Sequence, residues 1–325
     1  MNKKTTMKHG IRLSLLLCAT ALSFPSLAAY PDRPIDLIVP FAPGGNLDIT
    51  ARAIAPVLAK ALHTKITVEN KPGAGGVIGA GLVARSRPDG YTILVSTPNA
   101  IAVAPYMTKA PYKPADFRAI GLVAKTPLLI DVNSKSKFTD IKGFLKYACA
   151  NPGKITVGHS GIGTTNYMGL IALEEASKCH FTAIPYKGSG PALVDLMGGQ
   201  IDAVVDQLSS SSPLIHSGKL KALAVLTAKR VPSLSDVPTL AESGVEGIDA
   251  STNTGLLVPV KTPSAIVKKL NEALRQVAAS KAVKSTLGKV GSTAESSTPD
   301  AFMTLITNED KVAAKLSAEG KLRRK

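Results

Sequence analysis

The chain has 325 residues, 39 Lys and Arg against 23 Asp and Glu, a formal net charge of +16, and 4% aromatic residues with no Trp. That length supports about two domains and a sizeable core. So few rings give no array of stacking platforms for single-stranded nucleic acid, so the basic balance points to a small anionic solute instead.

The first 28 residues read as a secretory signal peptide. Lys3, Lys4, Lys8 and Arg12 precede the apolar run Leu13 to Leu17, and small residues lead to a cleavage site after Ala28. Cys18 follows Leu17, where a lipoprotein signal carries a small residue, so it is read as part of the discarded segment. Nothing later approaches the roughly 18 uninterrupted apolar residues of a membrane-spanning helix. Removal leaves a formal charge of +12 and two thiols, Cys149 and Cys179. In an oxidising compartment those two are expected to form a structural disulfide. The basic KLRRK terminus reads as a solvated tail.

Short apolar, β-branched runs occur at 35–39, 66–68, 91–95, 155–158, 183–185, 203–205 and 220–225. Helical patterns lie between them. Leu47, Ala51, Ile54, Leu58 and Leu62 recur at helical spacing despite Pro56, and Ile266, Leu270, Leu274 and Val277 do the same. Such alternation predicts an α/β fold with parallel strands covered by helices. Two stretches break the pattern. Residues 119–134 hold two apolar segments interrupted by Lys125-Thr126-Pro127, and residues 230–253 are irregular. These are read as crossings between two lobes, one formed by 29–126 with 248–325 and the other by 127–247.

The stretch Phe41-Ala42-Pro43-Gly44-Gly45 ends a strand and opens a helix. Glycines permit close backbone approach there, and unpaired N–H groups with the positive end of the helix dipole favour an anion. One such pair is a weak signal. Its weight rises because glycine-rich turns recur at 70–76, 158–165 and 186–191, each joining a strand to a helix. Ligands of open parallel sheets lie beyond the carboxyl ends of the strands, so four such turns suggest a cleft.

Single residues are more ambiguous. Asp48 is read first as a helix-start carboxylate and Asp206 as a loop brace at the cleft wall. Lys187 is either an anion-attracting charge or an ordinary solvated lysine, His159 is read as a surface histidine, and Ser209 to Ser212 as a helix-start cap. The dinucleotide and P-loop fingerprints are absent, and the histidines lack metal-ligand spacing. No nucleophile, base or ligand cluster converges, so neither metal nor cofactor is expected, and the sequence reads as built to bind rather than to react.

The ordered blocks "YPDRPIDLIVPFAPGGNLDITAR", "VENKPGAGGVIGA", "PDGYTILVST", "NPGKITVGHSGIGTT", "PYKGSGPALVDLMGGQIDAVVDQ", "GKLKALAV" and "SDVPTLAESG" resemble the substrate-binding proteins of tripartite tricarboxylate transporters, the Bug family. The resemblance implies a type II periplasmic binding protein fold, two α/β lobes joined by two crossover strands and closing on a carboxylate, with membrane transporter subunits as partners. It also implies a periplasmic monomer without nucleic acid or catalysis. Carried over residue by residue, Phe41, Ala42, Pro43, Gly44, Gly45 and Asp48 would form the carboxylate turn. Ser96, Asn99 and Ala100 would shape the distal pocket. Ser160, Gly163, Thr164, Thr165, Gly188, Ser189, Ala192 and Asp206 would close from the second lobe. Tyr167, Thr252, Asn253 and Asn46 depart from the residues common in the family at those positions, leaving a smaller, more polar wall. A ligand sensor that contacts a signalling partner, or an enzyme acting on a small acid through the same cleft, are the rival readings.

Overall fold

A computed structural model of the chain describes residues 30–320 and Leu322. The leader read at residues 1–28 lies outside the described residues. In chain order the first elements are β1 (Ile35–Val39), α1 (Asn46–Leu62), β2 (Ile66–Asn70), α2 (Val77–Ala84), β3 (Thr92–Ser96), α3 (Pro98–Ala102) and α4 (Ala104–Met107). β1 lies between β2 and β3 and is parallel to both, as the alternating pattern requires. α1 buries Leu47, Ala51, Ile54, Leu58 and Leu62 on one face and runs on through Pro56.

The long strand β4 (Phe117–Asn133) organises everything that follows. After it come α5 (Ile141–Ala150), β5 (Thr156–His159), α6 (Thr165–Ser177), β6 (Thr182–Pro185), α7 (Ser189–Met197), β7 (Ala203–Gln207), α8 (Leu208–His216) and β8 (Leu220–Val225). The chain then returns through β9 (Ser251–Pro259), α9 (Ser264–Ala279), α10 (Lys281–Gly288), β10 (Thr293–Ala294) and α11 (Pro299–Ala318).

The strand order is β2-β1-β3-β9-β4-β7-β5-β6, with β8 and β10 also on β4. The first half of β4 is flanked by β9 and β10, and its second half by β7 and β8. The two apolar segments expected around Lys125-Thr126-Pro127 are therefore one strand of 17 residues. Pro127 falls where the flanking partners change, pairing with the first residue of β9, so its missing N–H interrupts no continuous ladder.

Two cores result. One packs Leu128, Ile130 and Val132 of β4 against Phe144, Leu170, Leu173 and Phe181. The other gathers Ile38, Leu94, Leu257, Phe302 and Ile306. Each fully buried Phe or Leu stabilises the fold by roughly 1.5–3 kcal/mol relative to exposure. Phe302 explains a glycine in β9, because a Cβ on Gly255 would sit 2.3 Å from its ring. Cys149 at the end of α5 is bonded to Cys179, with Cα atoms 4.4 Å apart, as the cysteine count predicts.

Candidate functional site

Three helices begin at glycine-rich turns and converge on one small cavity. Its lining includes Phe41, Gly45, Asn46 and Leu47 at the start of α1, Thr164, Thr165 and Asn166 at the start of α6, and Ser189 at the start of α7. Thr97, Ser160 and Gln207 complete it. The free space it encloses is about 20 Å³, enough for about one water.

How these helices start decides what they offer. Several other helices spend a side chain on the first turn: Asp140 caps α5, Ser280 caps α10 and Thr298 caps α11. α1 and α7 instead begin behind Gly45 and Gly188 with no side-chain cap. Their first N–H groups are thereby left for something else, and the dipole ends add positive potential. Thr164 does cap α6, accepting from the Tyr167 N–H and donating to the Gly161 carbonyl. No charged side chain lines the cavity, so its attraction for an anion comes from backbone dipoles and hydroxyls.

Glycines let the opposing turns meet. A Cβ on Gly190 would lie 2.3 Å from the Pro43 carbonyl oxygen, one on Gly75 2.1 Å from that of Ile162, and one on Gly163 2.6 Å from the Ala104 Cα. The Ala42 N–H donates to the Lys187 carbonyl at 2.9 Å. Side chains add further links. Thr165 donates to Asn99 at 3.1 Å, whose amide in turn donates to Glu309 of α11. Ser209 of α8 and Thr126 of β4 both donate to the Asn46 amide oxygen, at 2.7 and 2.9 Å.

Of the residues singled out in the sequence, the structure places Phe41, Gly45, Ser160, Thr164, Thr165 and Ser189 on the cavity. Ala42, Pro43, Gly44, Gly163 and Gly188 form the touching turns behind it, and Ala192 is buried one turn into α7. Ser96 is fully buried with its hydroxyl unpaired, Ala100 is buried beside it, and Asn99 makes the link to Thr165. Lys187 is exposed and engages through its carbonyl.

Asp48 braces the entrance turn. It accepts from the Gly44 N–H, Arg52 and Asn70 at 2.9–3.0 Å, and Asn70 also donates to the Phe41 carbonyl. Burial pushes its carboxyl up, but these donors together hold it below the ordinary carboxylate range. Asp206 is fully buried behind Ser189, whose hydroxyl it accepts, and it also takes Ser210, Ser211 and Asn166. Burial wins there and raises its carboxyl.

Two readings are corrected. His159 is not a surface histidine: it is 1% exposed, stacks on Tyr167 with ring centroids 4.6 Å apart, and accepts from the Gly161 N–H. Burial lowers its pKa to about 4, so it is a neutral support for the Ser160 to Gly163 turn. Ser209 to Ser212 do not cap a helix start. α8 begins at Gln207 without a side-chain cap, and all four serines are buried, bonding inward because the polar groups beneath them need partners.

Thr97, Asn166 and Gln207 are cavity residues that the sequence did not reveal. Asn166 and Gln207 hold each other through paired amides, and Gln207 reaches Thr252 at 3.1 Å. A signal existed only for Thr97, which precedes a proline and caps α3.

Helix-covered strands whose terminal turns close on a small polar cavity define the class of periplasmic binding proteins. Within it, the chain belongs to the tripartite tricarboxylate transporter family receptors, whose family model matches residues 50–319. It is 34% identical to Protein BugT of Bordetella pertussis over 91% of this chain and 92% of that one. The structure of the periplasmic binding protein BugD superposes with a TM-score of 0.86 at 36% identity, covering 91% of this chain and all of BugD. MatC from Rhodopseudomonas palustris with bound malate gives a TM-score of 0.84 at 32% identity, covering 89% of this chain and all of MatC.

Proposed function

We propose that the chain is an exported periplasmic receptor that holds a small organic carboxylate between two lobes, 29–126 with 248–325 and 127–247, and presents it to the membrane subunits of a tripartite tricarboxylate-type transporter. The observation that carries this reading is the convergence of the α1, α6 and α7 starts on a cavity without a charged side chain, two of them behind uncapped glycines. Carboxylate oxygens accept from such N–H groups and benefit from the dipole ends. Malate in the related MatC supports the ligand class.

The touching turns describe the closed form. A ligand drives closure only by binding that form better than the open one, and N–H groups supplied from both sides provide that difference. The work is capture and release, with no bond made or broken. Calorimetric titration of ligand-stripped protein with mono-, di- and tricarboxylates tests the reading. Saturable binding of at least one is expected, accompanied by compaction in small-angle scattering, and binding of none would overturn it.

A further inference from the structure

Behind the cavity wall lies a second carboxyl group that the capture mechanism does not use. Asp131 stands on β4 on the same face as Leu129, a strand position where the alternation calls for an apolar residue, and it is fully buried. Its Oδ2 lies within hydrogen-bond distance of Ser211 Oγ, and its Oδ1 has no partner. Ser211 Oγ is also 2.9 Å from Asp206 Oδ2.

Counting hydrogens constrains the protonation. Ser211 has one hydroxyl hydrogen and two carboxylate neighbours, so both contacts are hydrogen bonds only if one carboxyl supplies a hydrogen of its own. Asp206 is surrounded by donors from Ser189, Ser210, Ser211 and Asn166, which suit its charged form. Asp131 has nothing but Ser211.

The charged or titratable residues on the elements around this half of β4 are Asp206 of β7, Lys221 of β8, Asp195 of α7 and His216 of α8, with Lys142, Lys146 and Tyr147 of α5 and Tyr167, Glu174 and Glu175 of α6 on the helices packed against the Leu128, Ile130 and Val132 face. Asp195 is engaged by the Tyr186 hydroxyl and His216 by the Ser212 carbonyl. No Lys, Arg or His among the described residues pairs with either buried carboxyl.

We propose that Asp131 is held as a neutral acid that donates through Ser211 to Asp206, which also accepts from Ser189 at the cavity, so that the wall carries one negative charge instead of two and carboxylate capture requires that proton. In this chain Asp131 Oδ2–H donates to Ser211 Oγ, Ser211 to Asp206 Oδ2, and Ser189 to Asp206 Oδ1, which turns the Ser189 lone pairs toward the cavity side. Burial, with the adjacent Asp206 charge adding to it, pushes the Asp131 carboxyl well above its ordinary range. Loss of the proton at alkaline pH would place a second uncompensated charge behind an anion site.

The protonation itself is independent of the receptor reading, and its link to capture rests on that reading. Infrared spectroscopy of the ligand-free mature chain at neutral pH should show the carbonyl band of a protonated carboxylic acid, and Asp131→Asn, whose amide donates to Ser211 in place of the acid, should remove it. Malate titrations from neutral to alkaline pH should weaken by up to about tenfold per pH unit in the native chain and stay level in the variant. Absence of the band from the native chain, or its persistence in Asp131→Asn, would overturn the proposal. So would a native affinity that holds level with pH. If malate does not bind at any pH, the receptor reading with that ligand fails while the band still decides the protonation.

Discussion

Gly190→Ala separates folding from closure. Gly190 lies in the first turn of α7 at a conformation any residue adopts, and an added methyl there would meet the Pro43 carbonyl oxygen at 2.3 Å, with the carbonyl carbon next at 3.5 Å and the Gly44 Cα at 3.9 Å. Ordinary contact begins at 3.4 Å, so the turns must part by about 1 Å. The obstacle is backbone, which cannot rotate aside. Forcing such an overlap costs about 1–3 kcal/mol, which lowers ligand affinity roughly 5- to 150-fold at about 1.4 kcal/mol per decade. The helix itself gains, since alanine replaces glycine at a helical position for about 0.5–1 kcal/mol. Calorimetric titration should therefore show weakened binding while urea unfolding shows stability retained or raised. Gly198→Ala, whose methyl would find only neighbours at 3.5 Å and beyond, serves as the control. Undiminished affinity in Gly190→Ala, or equal losses in both variants, would refute the closure geometry.

Other perturbations give equally definite outcomes. His159 titrates at about 4 instead of 6.5 in the folded chain, so its contribution is fully present above pH 6.5 and disappears as pH falls toward 4. That contribution is about 3 kcal/mol, and comparing urea unfolding of the native chain with His159→Gln across this interval should isolate it. Phe302→Ala should cost about 3–5 kcal/mol by emptying the space beside Gly255, measured by the same unfolding midpoint. Reducing the Cys149 to Cys179 bond, which closes a separation of 30 residues, should cost about 2–4 kcal/mol, read as a lower melting temperature in reductant.

The strands and the α1 face were legible because their patterns are local: Ile35 to Val39 and the Leu47 to Leu62 series announce their own periodicity. The glycine turns were legible for the same reason, since Gly44 and Gly188 mark positions where a Cβ strains the backbone or meets its neighbours. β4 was misread because Pro127 is locally a break and only its position between two sets of partners makes it harmless. The serine run looked like a cap because two of its partners, Asp131 and Asn46, are remote in sequence. Asn166 and Gln207 carried no local sign either. Their roles exist only once α6, β7 and β9 have been brought together.

Leu94 of β3 pairs with Leu257 of β9, and β9 also supplies the neighbour that the first half of β4 needs. A chain emerging from its amino end thus makes three strands of one sheet long before the strand that joins them to β4 exists. Sequence separations of this size make assembly slow, because the entropy of closing the intervening loop must be met before any contact rewards it. Until β9 has been synthesised, β3 and the first half of β4 lack the neighbour that joins them.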